Sequence, residues 1–151
     1  MNVRYKNRRR TMKVLHEGTA PRKNYDSDAA YDLKASLGEQ VVKVYPGNRK
    51  LIPTSLHVAI PQGYAGLVMP RSGLAVKFGV TVLNTPGLID PHYTGDVSVL
   101  LINHGDDTFV VRDGDRIAQL MIVKTESVEW QQVDRLDDSD RGEKGFGSSG
   151  V

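Results

Sequence analysis

The 151-residue chain sets 20 Lys and Arg against 18 Asp and Glu, with 39% apolar residues and no cysteine. That composition describes a single globular domain able to bury a core, and it excludes disulfides and thiolate chemistry. No apolar run reaches the ~20 residues of a membrane span, and the absence of cysteine fits a reducing cytoplasm.

The chain opens on "MNVRYKNRRR", which is basic but has no apolar segment of the secretory kind. Its five cations hide the balance of the rest, because from residue 11 onward fifteen cations face eighteen anions. Residues 1–11 are therefore expected to be a flexible basic extension. A solvated arm is favoured over nucleic-acid binding, for which it is the one hint. Met12 opens "MKVLHEG", the expected start of the fold, and residues 12–133 are expected to form its body.

That body reads as short strands separated by turn residues. "VVKVY" (41–45), "LHVAI" (56–60), "YAGLVM" (64–69), "VTVLN" (80–84), "DVSVLLIN" (96–103), "TFVV" (108–111) and "RIAQLMIV" (116–123) are β-rich and bounded by Gly, Pro, Asn or Asp. One short helix is predicted over Ser72 to Lys77, and no segment sustains a 3.6-residue apolar period. Many closely spaced strands predict an all-β sandwich, jelly roll or barrel. In "SVLLIN" the alternation gives way to a continuous apolar run. Such a strand needs cover on both faces, and another subunit is a candidate source. After residue 133, "DRLDDSD" reads as a solvated acidic linker to a tail rich in glycine and serine.

Polar groups gather in a few places along this frame. "AAYDLKA" (29–35) holds Asp32 in a strand-like run, where a carboxylate usually faces away from the core. "PRSGLA" (70–75) puts Arg71, Ser72 and Gly73 at the start of the predicted helix. It reads either as an anion site suited to phosphate or as a plain helix cap with a surface arginine. "NTPGLIDPHYTGD" (84–96) reads as the turn of a hairpin between "VTVL" and "VSVLLIN". Asn84 offers an amide, Asp90 a carboxylate and Tyr93 a flat ring there, although an ordinary turn has the same composition. "GDRIAQL" (114–120) carries Arg116 and Gln119. Three residues apart on a strand, these are expected on opposite faces, one structural and one toward the site. The four histidines are scattered, which argues against zinc, and no P-loop, H-E-x-x-H motif or G-x-S-x-G elbow is present.

Taken together, "AAYDLKA", "PRSGLAVKFGV", "NTPGLIDPHYTGD", "GDRIAQL" and "RGEKGFGSSG" resemble the five ordered motifs of the homotrimeric dUTPase family, over residues 29–150. The resemblance implies a jelly-roll-like β fold in a homotrimer. Each active site would draw on all three chains and exchange the C-terminal tail between subunits. It further implies Mg²⁺-assisted hydrolysis of dUTP to dUMP and pyrophosphate. That reaction keeps uracil out of DNA and supplies dUMP for thymidylate synthesis.

In that frame Asp90 is the general base for the attacking water, and Asp32 holds Mg²⁺ through the metal's waters. Arg71, Ser72, Gly73 and Gln119 bind phosphate oxygens. Asn84 and the backbone of Gly87, Leu88 and Ile89 read the uracil edge. Tyr93 packs on deoxyribose, and Ser98 adds a backbone contact. From the tail, residues 134–151, Arg141 clamps the far phosphates and Phe146 stacks on the base. Gly147, Ser148 and Ser149 hold the phosphate chain as part of a lid.

The chain departs from the family pattern at Ala30, at Asp96 in place of glutamate or glutamine, at Pro91 and His92, and at Lys144. None of these removes a group assigned to substrate, and His92 is read as a bystander. Two rival readings exist. A dCTP deaminase, or a bifunctional deaminase–dUTPase, calls for glutamate where Asp90 stands and tryptophan where Tyr93 stands. A dUTPase scaffold with an added regulatory or binding role would draw on the basic arm.

Overall fold

A computed structural model describes residues 11–145, so Phe146, Gly147, Ser148, Ser149 and most of the basic extension lie outside the described residues. The described part holds eleven strands and one helix. They are β1 (Leu15–Glu17), β2 (Tyr31–Lys34), β3 (Val42–Val44), β4 (Arg49–Ile52), β5 (His57–Ala59) and β6 (Tyr64–Met69), followed by helix α1 (Ser72–Phe78). After the helix come β7 (Val80–Val82), β8 (Gly87–Ile89), β9 (Val99–Asn103), β10 (Phe109–Val111) and β11 (Arg116–Lys124).

The all-β expectation holds, and the single helix lies where the sequence predicts it. A four-stranded sheet runs β2-β11-β6-β8 and a three-stranded one β4-β9-β7, with β10-β3 and β1-β5 as separate pairs. Every pairing is antiparallel. Inward residues of these sheets merge into one apolar cluster. It includes Leu33, Val68, Ile89 and Leu120 from the first sheet and Ile52, Val82, Val99 and Leu101 from the second. Among the described residues no helix is long and apolar enough to cross a membrane.

The continuous apolar run of β9 resolves into two faces. Val99, Leu101 and Asn103 are buried, while Leu100 and Ile102 are only half-buried. On that outer face Leu100 lies opposite Leu51, which stays 64% exposed. The buried Asn103 is fully engaged. Its Nδ2 donates to the Val44 and Asp107 carbonyls, and its Oδ1 accepts from the Gly105 amide. A polar side chain satisfied in this way is tolerated in a core and ties β9 to β3.

The segment 84–96 is more than the turn the sequence suggests. β7 and β9 do pair, but between them Gly87–Ile89 leaves the turn and joins the other sheet beside β6. Gly87 allows the approach: a Cβ there would lie 3.2 Å from Asn84 Nδ2 and 3.4 Å from Val68 Cβ. Leu88 then faces outward and Ile89 inward, as strand alternation requires. The connection thus crosses from one sheet to the other and carries its polar residues with it.

Candidate active site

The polar residues gather in two depressions that share no lining residue. The first is a cleft at the end of the four-stranded sheet. Asp32, Arg71, Ser72, Gly73, Arg116 and Gln119 line it. Backbone register brings them together, since Asp32 on β2 lies opposite Gln119 on β11, and Gln119 lies opposite Met69 at the end of β6. Arg71 and Ser72 follow two residues later, where β6 hands over to α1.

In this cleft one carboxylate faces two guanidiniums. Arg71 Nε is 3.2 Å from Asp32 Oδ1, and Arg116 Nη1 is 3.4 Å from Asp32 Oδ2. Arg71 Nη1 also donates to the Arg116 carbonyl at 3.0 Å. Arg71 is the N-cap residue of α1 in extended conformation and supplies no side-chain cap, so its fork is free to work across the cleft. Gln119 Nε2 donates to the Pro70 carbonyl at 2.9 Å and pins the turn that presents Arg71 and Ser72. Ser72 and Gly73 are exposed, and a Cβ on Gly73 would meet nothing within 4 Å.

The expectation that Arg116 and Gln119 face opposite ways is wrong. The register of β11 against β2 shifts between Arg116 and Ala118, and Ile117 and Ala118 are both buried. This irregularity inserts a residue into the alternation, so side chains three apart return to one side. Both therefore line the same cleft. Sequence reasoning thus missed Arg116 as a site residue. The signal was present in "RIAQL", where two apolar residues in succession break a period of two.

The second depression, about 180 Å³, lies along the crossing segment, with Val68 and Val82 in its walls. Asn84, Gly87, Leu88, Ile89, Asp90, Tyr93 and Ser98 all line it. Asp90 follows directly on β8 and is exposed. Ile89 is 7% exposed, so its side chain belongs to the core and its backbone is what the pocket can use. His92 adopts a left-handed φ of 72° and does not line the pocket beside Asp90. The Ser98 hydroxyl turns to the Asp96 carboxylate, and the Tyr93 hydroxyl donates to the Asp96 carbonyl at 2.9 Å.

Arg141 stands apart from both depressions. It lies in the exposed stretch 124–145, and its Nε donates to the nearby Lys144 carbonyl at 3.0 Å. Among the described residues no cluster of three or more His, Asp or Glu is arranged to cage a metal ion.

The chain resembles known proteins over most of its length. The dUTPase family model matches residues 16–150. A deoxyuridine 5'-triphosphate nucleotidohydrolase of Syntrophotalea carbinolica is 53% identical over 113 residues, 75% of this chain and 76% of that one. The dUTPase of Staphylococcus bacteriophage 80alpha, solved with dUPNHPP, superposes with a TM-score of 0.83 at 29% identity, over 93% of this chain and all of its own. A mutant dUTPase of S. aureus phage phi11, described for its coordination of a structural Mg(II) ion, superposes with a TM-score of 0.75 at 25% identity, over 84% of this chain and all of its own. With a family match that runs through every strand from β2 onward and both depressions, the chain belongs to the dUTPase family.

Proposed function

We propose that this protein hydrolyses dUTP to dUMP and pyrophosphate in a homotrimer whose active sites each combine surfaces of different subunits. The observation that carries this reading is the division of the polar residues. One chain holds a phosphate-type cleft built on Asp32, Arg71 and Gln119, and a separate pocket built on Asn84, Asp90 and Tyr93. A nucleoside triphosphate needs both at once, and a neighbouring chain is the simplest means of uniting them. The exposed apolar residues support the same assembly: Leu51 on the outer sheet face, and Val128, Trp130, Val133 and Leu136 along the C-terminal stretch. Trp130 is 92% exposed in the isolated chain, a position a large ring seldom keeps without a partner.

In the pocket Asn84 and the backbone from Gly87 to Ile89 pair with the polar edge of uracil. Cytosine reverses a donor and an acceptor at that edge and leaves buried groups unpaired, which can cost about 10⁴ in selectivity. The methyl of thymine would clash with the tight turn that brings Asn84 close to Gly87. Tyr93 forms the wall beside deoxyribose, and Ser98 adds its backbone. Asp90 takes the proton of the water that attacks the α-phosphorus.

In the cleft Arg71, Ser72, Gly73 and Gln119 bind the phosphates and meet the charge of the leaving pyrophosphate with fixed donors. Asp32 is paired with two guanidiniums, and the other carboxylate of the lining, Asp28, accepts from the Tyr25 amide, so the pair does not form a cage for a bare cation. The cleft suits hydrated Mg²⁺, which brings phosphate and water ligands with it, and Asp32 would hold the ion through that water. When bound, Mg²⁺ would supply positive charge to the phosphates that Arg71, Ser72, Gly73 and Gln119 hold.

Residues 12–133 form the body, residues 134–151 the linker and lid, and residues 1–11 the basic extension. Arg141, with Phe146, Gly147, Ser148 and Ser149, closes over the nucleotide. The test is pyrophosphate release from dUTP, UTP, dTTP and dCTP with Mg²⁺, together with light scattering. Turnover of dUTP alone by a trimer is expected; equal turnover of dCTP, or an active monomer, overturns the reading.

A further inference from the structure

The wall residue Tyr93 does not stand on its own. Its ring is folded back over Gly95 so closely that a Cβ at residue 95 would lie 2.6 Å from the Tyr93 hydroxyl oxygen and 2.7 Å from Cζ. No side chain fits there while the ring stays in place. The hydroxyl is then tethered one residue further on, to the Asp96 carbonyl at 2.9 Å. Asp96 is itself fastened to the body. Its carboxylate accepts from Ser98 Oγ and from the Thr54 amide, and its backbone bridges to His57. His57 Nδ1 in turn lies 2.9 Å from the Thr94 carbonyl, holding the other side of the turn. The ring is therefore seated on a glycine and tied to a carbonyl within one short turn, and that turn is pinned to the start of β5 and the residues before it. Tyr93 itself remains 47% exposed, so the seat and the tether are the contacts that fix the exposed end of the ring.

We propose that Gly95 and the Asp96 carbonyl form a seat that determines sugar selectivity by fixing the Tyr93 ring against the nucleotide's deoxyribose. This rests on the reading of the pocket as a dUTP site. The 2′-hydroxyl that distinguishes UTP is excluded only if the wall beside C2′ cannot yield, and the seat removes that freedom. Gly95 acts as a positioning residue because it need not touch substrate. Its φ is not left-handed, so the need for glycine comes from the ring above it rather than from the backbone.

The experiment follows from where the strain of a substitution would go. In Gly95→Ala the new methyl meets the free end of an exposed side chain, which swings into solvent, so the fold and the melting temperature are kept. Steady-state hydrolysis of dUTP and UTP by wild type, Gly95→Ala and Tyr93→Phe measures the ratio of their kcat/KM values. In Gly95→Ala that ratio falls by about tenfold or more, chiefly through a gain in UTP turnover. Tyr93→Phe keeps the ring on its seat and loses the tether, so its ratio falls less. A merely structural role for Gly95 would lower both nucleotides equally and leave the ratio unchanged, which overturns the proposal. Should Gly95→Ala not fold, an unchanged ratio in Tyr93→Phe overturns it instead. Wild type is the control that separates the two claims: no dUTP hydrolysis at all removes the proposed function, whereas a selective wild type with an equally selective Gly95→Ala removes only the seat.

Discussion

The two depressions are built by opposite means. The cleft takes its residues from strands far apart in sequence, β2, β6 and β11, and aligns them by ladder register and one irregularity. Its charged groups already satisfy one another, two guanidiniums on one carboxylate. The pocket takes nearly everything from residues 84–98, one continuous segment shaped by glycines, main-chain carbonyls and a crossing between sheets. On the proposed function, the difference separates charge handling from specificity. A cleft of paired charges can bind any polyphosphate, whereas a pocket shaped by backbone can tell one base or sugar from another.

Substitutions can break that division. The largest effect is expected for Asp90→Asn, which keeps the shape of the pocket and removes the proposed base. The kcat for pyrophosphate release should fall by about 10³-fold, while calorimetry still detects nucleotide binding. Next is truncation after Asp140, which removes the lid proposed to join the two half-sites. Turnover should fall by about a hundredfold, with the trimer intact by light scattering. Full turnover in the truncated chain would mean that the half-sites need no lid.

Arg116→Ala addresses the cleft alone. Loss of one charged donor should lower kcat/KM for dUTP by about tenfold and leave the dUTP-to-UTP ratio unchanged. A changed ratio would erase the distinction between the two regions. Gly66→Ala tests the sheet common to both. A Cβ there would lie 2.9 Å from Ile60 Cδ1 and 3.2 Å from both Ile89 Cβ and Leu120 Cδ1. Such overpacking costs about 1–3 kcal/mol and should lower Tm by roughly 5 °C, as calorimetry would read. The smallest effect belongs to Arg135→Ala. Its pair with Asp138 is largely exposed, and exposed pairs contribute little, so neither Tm nor turnover should move.

Much of this was legible in the sequence. Six of the strands lie within the β-rich runs and β11 outruns its own by one residue, because period-two alternation between turn residues is a local property. The helix begins at Ser72 as expected, directly after a strand. The motif order pointed to the family, and every motif residue assigned to substrate from Asp32 to Gln119 lines one of the two depressions. Strands β1, β4 and β8 were not legible. "LHE", "RKLI" and "GLI" are too short to establish a period and become strands only because a neighbour offers its edge.

By itself, then, the sequence determined the β class, the residue types gathered at the candidate site and the family, because residue type, alternation and motif order are carried along the chain. Only the tertiary structure decided that β8 leaves its hairpin for the other sheet, that Arg116 joins Gln119 in the cleft, and that Tyr93 rests on Gly95. Each of these depends on which backbone lies alongside which. A one-residue shift of register or a missing Cβ moves a side chain to a new face, and no reading of residue order records that displacement.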